Sequence, residues 1–199
     1  YEIPAHVKSD ESDNVTDLLV QRVKATPKLP LFAEQDSSGA WTNVSAEDFE
    51  RRVIALAKGF IATGIAPGQA VAIMSRTRFE WTLIDFALWY AGAVSVPIYE
   101  TSAPAQIEWI LSNSDSVALW VESQEHEERY SQIKASTPLI RNVWRMDDGA
   151  IDRLVELGRE VSDEQVEKRR TAAGLADLAT IIYTSGTTGK PKGCELTHR

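Results

Sequence analysis

The sequence predicts an α/β fold in which a layered parallel sheet is flanked by helices, and three observations carry that prediction. Short continuous apolar runs recur at residues 71–75, 93–97 and 117–121. Stretches of helical character separate and follow them, at 80–91, 104–111 and 124–135. A last apolar run, 179–183, delivers a loop rich in glycine, hydroxyls and lysine. Buried parallel strands read as unbroken apolar segments, and strand–helix alternation needs crossovers that cover both faces of a sheet.

The elements follow in order. After a polar lead, residues 15–23 read as a short helix, and 29–34 with 40–44 as the arms of a hairpin around Asp36-Ser-Ser-Gly39. Ser45 stands where an N-cap belongs, with Asp48 at the third helical position. Phe49, Val53, Leu56, Ala57 and Phe60 then recur at helical spacing until Gly64. This helix is expected to pack one face on the sheet. From Ala70 the pattern is strand, helix, strand, and a second unit repeats it with helix 104–111, strand 117–121, charged helix 124–135 and strand 142–146. Residues 147–177 have few apolar anchors around 161–170 and read as a solvated helical excursion. The expected organisation is helix and hairpin in 1–44, a βαβ subdomain in 45–146, the excursion in 147–177, and a strand with its loop in 178–199. Trp81, Trp89 and Trp109 read as core aromatics on their helices ahead of pocket linings.

Bulk properties exclude several functions. One cysteine rules out a disulfide framework and a cysteine-based zinc cluster, and His6, His126 and His198 are too scattered to suggest a metal site. A net charge of −8 argues against a nucleic-acid-binding surface. It does not argue against a polyanionic small molecule, because exposed charges reach only about 8 Å at physiological salt. The longest apolar stretch, 86–99, is too short to span a membrane and contains Gly92 and Pro97. With the polar, acidic run Lys8-Ser-Asp-Glu-Ser-Asp13 near the start, the expectation is a cytoplasmic protein.

The chemistry concentrates in Tyr183-Thr-Ser-Gly-Thr-Thr-Gly-Lys-Pro-Lys-Gly193. It holds four hydroxyls (Thr184, Ser185, Thr187, Thr188), three glycines (Gly186, Gly189, Gly193) and two lysines (Lys190, Lys192). A helix here would cost roughly 6 kcal/mol relative to alanine, from three glycines and a proline, so the segment must be irregular. Glycines let backbone N–H groups approach an anion, hydroxyls donate further hydrogen bonds, and ammonium groups add charge. Polyphosphate calls for all three. The spacing is not that of a P-loop NTPase, since two residues and not four separate Gly186 from Gly189, and Lys190 precedes Pro191. Nor is it a serine-hydrolase elbow, because Tyr183 and Thr187 flank Ser185 where glycines would stand. Ser185 is therefore read as a donor and not a nucleophile.

The stretch Tyr183 to Gly193 resembles the phosphate-loop signature of the acyl- and aryl-adenylate-forming enzymes. The following Cys194-Glu-Leu-Thr-His-Arg199 resembles the version in long-chain fatty acyl-CoA synthetases, with Cys194 where an aliphatic residue is more usual. Arg76-Thr-Arg-Phe-Glu-Trp81, Gly92-Ala-Val-Ser-Val-Pro-Ile-Tyr-Glu-Thr101 and Gln106-Ile-Glu-Trp-Ile-Leu111 resemble the N-terminal region of the same synthetases, so the likeness covers most of 15–199. It implies the flavodoxin-like N-terminal subdomain of the adenylate-forming fold, here truncated, with 178–199 opening the next part of a large N-terminal domain.

The resemblance further implies ATP, Mg2+ and a long-chain fatty acid as ligands, coenzyme A as co-substrate, no nucleic acid, and peripheral membrane contact through the substrate. Thr184, Ser185, Gly186, Thr187, Thr188 and Gly189 would cradle the β- and γ-phosphates, with Lys190 and Lys192 supplying charge and Thr184 also touching Mg2+. Lys192, in the Pro-Lys-Gly triplet, is the stronger of the two lysine candidates. The family's adenine motif, acidic Mg2+ ligand and catalytic lysine would lie beyond Arg199, so an N-terminal fragment without ligase activity of its own is expected. Another adenylate-former, such as an aryl-CoA ligase or a carrier-loading adenylation domain, and a non-catalytic polyphosphate-binding piece are the alternative readings.

Overall fold

The structure is a computed structural model that describes residues 10–35, 38–184 and 189–199. Its helices are α1 (Thr16–Ala25), α2 (Ala46–Ala62), α3 (Phe79–Tyr90), α4 (Pro104–Asn113), α5 (Gln124–Ser131), α6 (Ala150–Leu157) and α7 (Asp163–Arg170). Its strands are β1 (Pro30–Gln35), β2 (Trp41–Ser45), β3 (Ala70–Met74), β4 (Val94–Ile98), β5 (Ala118–Val121), β6 (Asn142–Arg145), β7 (Leu178–Thr184) and β8 (Lys192–Thr197).

Among the described residues six strands form one sheet in the order β6-β5-β3-β4-β7-β8, and β1 and β2 form a separate antiparallel hairpin. All pairings from β6 to β7 are parallel. Period-two alternation divides the sheet between two cores. Val71, Ile73 and Trp120 face α2, α3 and α6, whereas Ala72, Met74, Leu119 and Val121 face α4 and α5. Each fully buried Ile or Leu here contributes about 1.5–3 kcal/mol. The α/β layering expected from the alternation of apolar runs is thus what the chain forms.

Local signals place the elements. The Ser45 side chain accepts the Asp48 backbone N–H at 3.2 Å and starts α2, whose Phe49, Val53, Leu56, Ala57 and Phe60 are buried. Gly64 follows the helix in the left-handed region at φ +84°. Helix α5 is shorter than expected. It ends at Ser131, whose hydroxyl donates to the Glu128 carbonyl at 2.6 Å, and the chain continues as a short 3-10 turn over Lys134–Ser136.

The solvated reading of 147–177 needs correction. Ala150 and Leu154 of α6 and Val166 and Arg170 of α7 are buried. The reason is a close crossing of α2 and α6 at two glycines. A Cβ on Gly59 would lie 2.5 Å from the Leu154 carbonyl oxygen, and one on Gly158 would lie 2.4 Å from the Gly59 nitrogen. Helix backbones touch where side chains would otherwise separate them. A second difference is β8, which the sequence reading absorbed into the loop and its continuation. All six of its residues are exposed, so no apolar run marks it, and it lies at the sheet edge, antiparallel to β7.

Candidate functional site

Parallel α/β sheets bind ligands outside the carboxyl ends of their strands. Here the carboxyl end of β7 delivers the hydroxyl- and glycine-rich loop beside the carboxyl end of β4. The two strands are locked by a hydrogen bond from the Thr180 hydroxyl to the Ser95 carbonyl, 3.0 Å. A cleft of about 410 Å³ opens there, lined by Tyr99, Thr101 and Ser102 from the β4–α4 connection, by Gln106 of α4, and by Thr184 and Pro191 from the two arms of the loop. A cavity of equal size at the amino ends of the strands is lined by Trp89, Arg169 and His198. Its Arg169 guanidinium donates to the Ile65 carbonyl and its Trp89 indole to the Ala179 carbonyl, each at 2.8 Å, so chemistry and not volume distinguishes the two.

Thr184 is the last residue of β7 and pairs directly with Lys192, the first of β8. Paired residues share a face and neighbours along a strand alternate, so Thr184, Lys192 and Cys194 lie on one face and Tyr183 and Gly193 on the other. Consistently, Thr184 Oγ1 is 3.9 Å from Cys194 Sγ. Both Thr184 and Lys192 are exposed at the mouth of the loop. Gly189 has φ +136°, a backbone conformation that L side chains rarely adopt. Ser185, Gly186, Thr187 and Thr188 lie outside the described residues.

The two lysines do not act as a pair. Lys190, two positions before β8, places its ammonium 4.1 Å from the centroid of the Trp109 ring on α4, whose indole N–H donates to the Pro191 carbonyl at 2.8 Å. A cation over an exposed aromatic face is stabilising by about 0.5–1 kcal/mol. One turn further along α4, Asn113 Oδ1 accepts the Tyr183 hydroxyl at 2.7 Å. Tyr183 crosses so close to the partner strand that a Cβ on Gly193 would lie 3.1 Å from its ring. Of the three tryptophans singled out in the sequence, Trp81 packs partly buried against the core, while Trp89 and Trp109 hold β7 and its loop through their indole N–H groups.

The neighbouring strand ends carry a second polar centre that no local pattern announced. Glu122, just after β5, accepts the Ser75 hydroxyl at 3.1 Å, the Arg76 backbone N–H at 2.8 Å, and the Arg76 guanidinium at 3.0 and 2.6 Å. Burial pushes its pKa up, but the bonds from Arg76 and Ser75 outweigh burial and hold the carboxylate at about 2. The two partners are 46 residues apart in sequence, which is why residue-by-residue reading missed them. Arg129 of α5 likewise donates to the Glu100 and Ser102 carbonyls, fixing the β4–α4 connection that walls the cleft.

Comparison with known proteins agrees with this geometry. The chain is 38% identical over 198 residues to the long-chain-fatty-acid–CoA ligase FadD15 of Mycobacterium bovis, a match covering 98% of this chain and 33% of the relative. Against the Xenopus laevis long-chain-fatty-acid–CoA ligase ACSBG2 it is 26% identical, covering 79% of this chain and 23% of the relative. The chain therefore spans about a third or less of the length of these relatives. Among solved structures, the inhibitor-bound N-terminal domain of FACL13 from Mycobacterium tuberculosis superposes with a TM-score of 0.76 at 27% identity, over 93% of this chain and 44% of that one. The AMP-binding enzyme family matches residues 19–199, a span that takes in every strand of the sheet and the whole of the loop after β7, and to that family the chain belongs.

Proposed function

We propose that this chain is the N-terminal part of an ATP-dependent fatty acid–CoA ligase and that its loop after β7 binds the β- and γ-phosphates of ATP. In the first half-reaction a long-chain carboxylate attacks the α-phosphate, and pyrophosphate leaves from the acyl-adenylate. Coenzyme A then displaces AMP. The observation that carries the reading is the placement of a hydroxyl, glycine and lysine loop at the carboxyl end of β7, with Thr184 and Lys192 facing each other across its mouth. Donors fixed around a departing polyanion stabilise charge as it develops. Thr184, Ser185, Gly186, Thr187, Thr188 and Gly189 supply those donors in this reading, and Lys192 supplies positive charge.

Mg2+ would screen the phosphates when bound. Among the described residues no three His, Cys, Asp or Glu side chains gather to hold a metal ion, so Thr184 offers a single hydroxyl ligand. That fits Mg2+ only as an ion held mainly by substrate phosphates and water. The acidic ligand, the adenine motif and the catalytic lysine belong, on this proposal, to sequence beyond Arg199. Among the described residues no helix is long and apolar enough to cross a membrane, and contact with a membrane surface would come through the fatty acid.

ATP–pyrophosphate exchange tests the proposal. The 199-residue chain with a long-chain acid is expected to show none, and the full-length protein is expected to exchange with long-chain acids in preference to short or aromatic ones. In the full-length protein, Thr188→Val and Lys192→Ala should each slow adenylation by about 10- to 100-fold, the loss of one charge-assisted hydrogen bond, while leaving the melting temperature in place. Preference for short or aromatic acids would defeat the long-chain assignment. Melting at core-mutant temperatures with adenylation intact would make the loop structural.

A further inference from the structure

We infer that one face of α4 is a brace for the phosphate loop, with Trp109 and Asn113 as its positioning residues; this rests on the polyphosphate reading of the loop. The two residues are four apart on one helix and therefore neighbours on its surface. Asn113 takes the Tyr183 hydroxyl at the loop's entry, and Trp109 takes the Pro191 carbonyl and the Lys190 ammonium at its exit. Entry and exit are already joined by the Thr184–Lys192 pair, so α4 fixes the orientation of that pair against the rest of the sheet. Such fixing matters because a glycine-rich segment has the most backbone freedom to lose, and its donors converge on an anion only when its ends are held.

The face lies at the border of the core. Ile107, Ile110 and Leu111 anchor the helix in the sheet's second hydrophobic layer, Trp109 packs half-buried against the edge of that layer, and Asn113 is exposed. Gly193 belongs to the same device, since a Cβ there would lie 3.0 Å from the Ile181 side chain and 3.3 Å from the Tyr183 hydroxyl that reaches Asn113, and would press on both. The brace also divides the labour of the two lysines. Lys190 is an anchor that holds the loop to α4, and Lys192 is the charge available to phosphate.

The test uses full-length protein carrying Trp109→Leu, Trp109→Phe or Asn113→Ala, read by hydrogen exchange, calorimetry with pyrophosphate, and steady-state kinetics. Trp109→Leu is expected to speed amide exchange of the loop and to weaken pyrophosphate binding by about tenfold each, with Asn113→Ala smaller, the losses of one cation–aromatic contact and of one hydrogen bond. Trp109→Phe keeps the ring face without the donor and should recover part of the loss. KM for ATP should rise while KM for the fatty acid stays put. Loop exchange and pyrophosphate affinity unchanged in both Trp109→Leu and Asn113→Ala would overturn the brace. So would faster exchange spread evenly through α4 and β5 with a fall in melting temperature like that of a core mutation. If loop exchange rises in the variants but the unsubstituted protein binds neither pyrophosphate nor ATP, the brace stands and the polyphosphate reading falls.

Discussion

Asp85 shows how a single residue can set a pH response away from any site. It sits on the inner face of α3 at 7% exposure, and its Oδ1 has no hydrogen-bond partner. Burial pushes its pKa up to about 6, against a smaller lowering from the Ser95 hydroxyl. The folded state therefore favours the neutral acid more than the unfolded chain does, where the value is near 3.9. That preference stabilises the fold fully below about pH 4 and is lost as the pH rises through 6. Across this window the protein should lose about 3 kcal/mol relative to Asp85→Asn, which keeps the shape and removes the titration. Denaturant unfolding of both proteins at pH 4, 5, 6 and 7 checks it, and parallel loss in the two would clear Asp85 of the effect. Glu122 has the opposite sign, since its lowered pKa gives stability that is complete above about pH 4.5 and is lost as the pH falls from there through about 2, a loss that both proteins share.

At the scale of elements, legibility followed burial. Helix α2 could be read from Ser45, Asp48 and the spacing of Phe49 to Phe60 because cap and core face are local features, and β3, β4 and β5 showed as apolar runs because both their faces are covered. Strand β8 left no such mark, being exposed throughout. Within the candidate site, the loop's chemistry was legible in its own residues. Its setting was not, because Trp109 reaches Pro191 across 82 positions and Asn113 reaches Tyr183 across 70. The helical segment was misjudged for a related reason. Sparse apolar residues suggested solvation, yet α6 needs few of them when glycine lets it lie directly on α2. Gly158 has an ordinary helical φ of −80°, so contact alone excludes a side chain there. Gly158→Ala is therefore expected to destabilise the protein by about 1–3 kcal/mol through overpacking. Leu157→Ala, at an exposed neighbour, should stay within about 0.5 kcal/mol. Urea midpoints of the two variants measure the contrast, and equal midpoints would mean that the α2–α6 crossing can open at little cost.

At the scale of the whole molecule, a clasp ties the segment leading into α1 to α7 and to the residues after β8, which bears on whether 147–177 unfolds separately. Asn14, buried ahead of α1, donates to the Arg170 and Ala173 carbonyls at 3.1 and 3.0 Å, and so caps the end of α7 from 156 positions away. Arg170 answers with bonds to Thr16 at 2.9 Å and Asp17 at 2.6 Å, and Leu175 donates to the Glu11 carbonyl at 3.0 Å. His198, past β8, accepts the Val15 N–H through Nδ1 at 3.4 Å, and burial lowers its pKa, which keeps that nitrogen an acceptor near neutrality. These ties join α1, α7 and the sheet edge into one unit. Removing the Asn14 amide leaves the Arg170 carbonyl at the end of α7 and the Ala173 carbonyl just beyond it without their partner, at a cost of about 1–3 kcal/mol. For a chain of this size each kcal/mol lowers the melting temperature by about 2–4 °C. Asn14→Ala should therefore melt several degrees lower, still in a single transition, with circular dichroism and tryptophan fluorescence coincident. A variant that melts in two steps, helix signal first, would show instead that α6 and α7 form a separable unit and that the clasp only reports their docking.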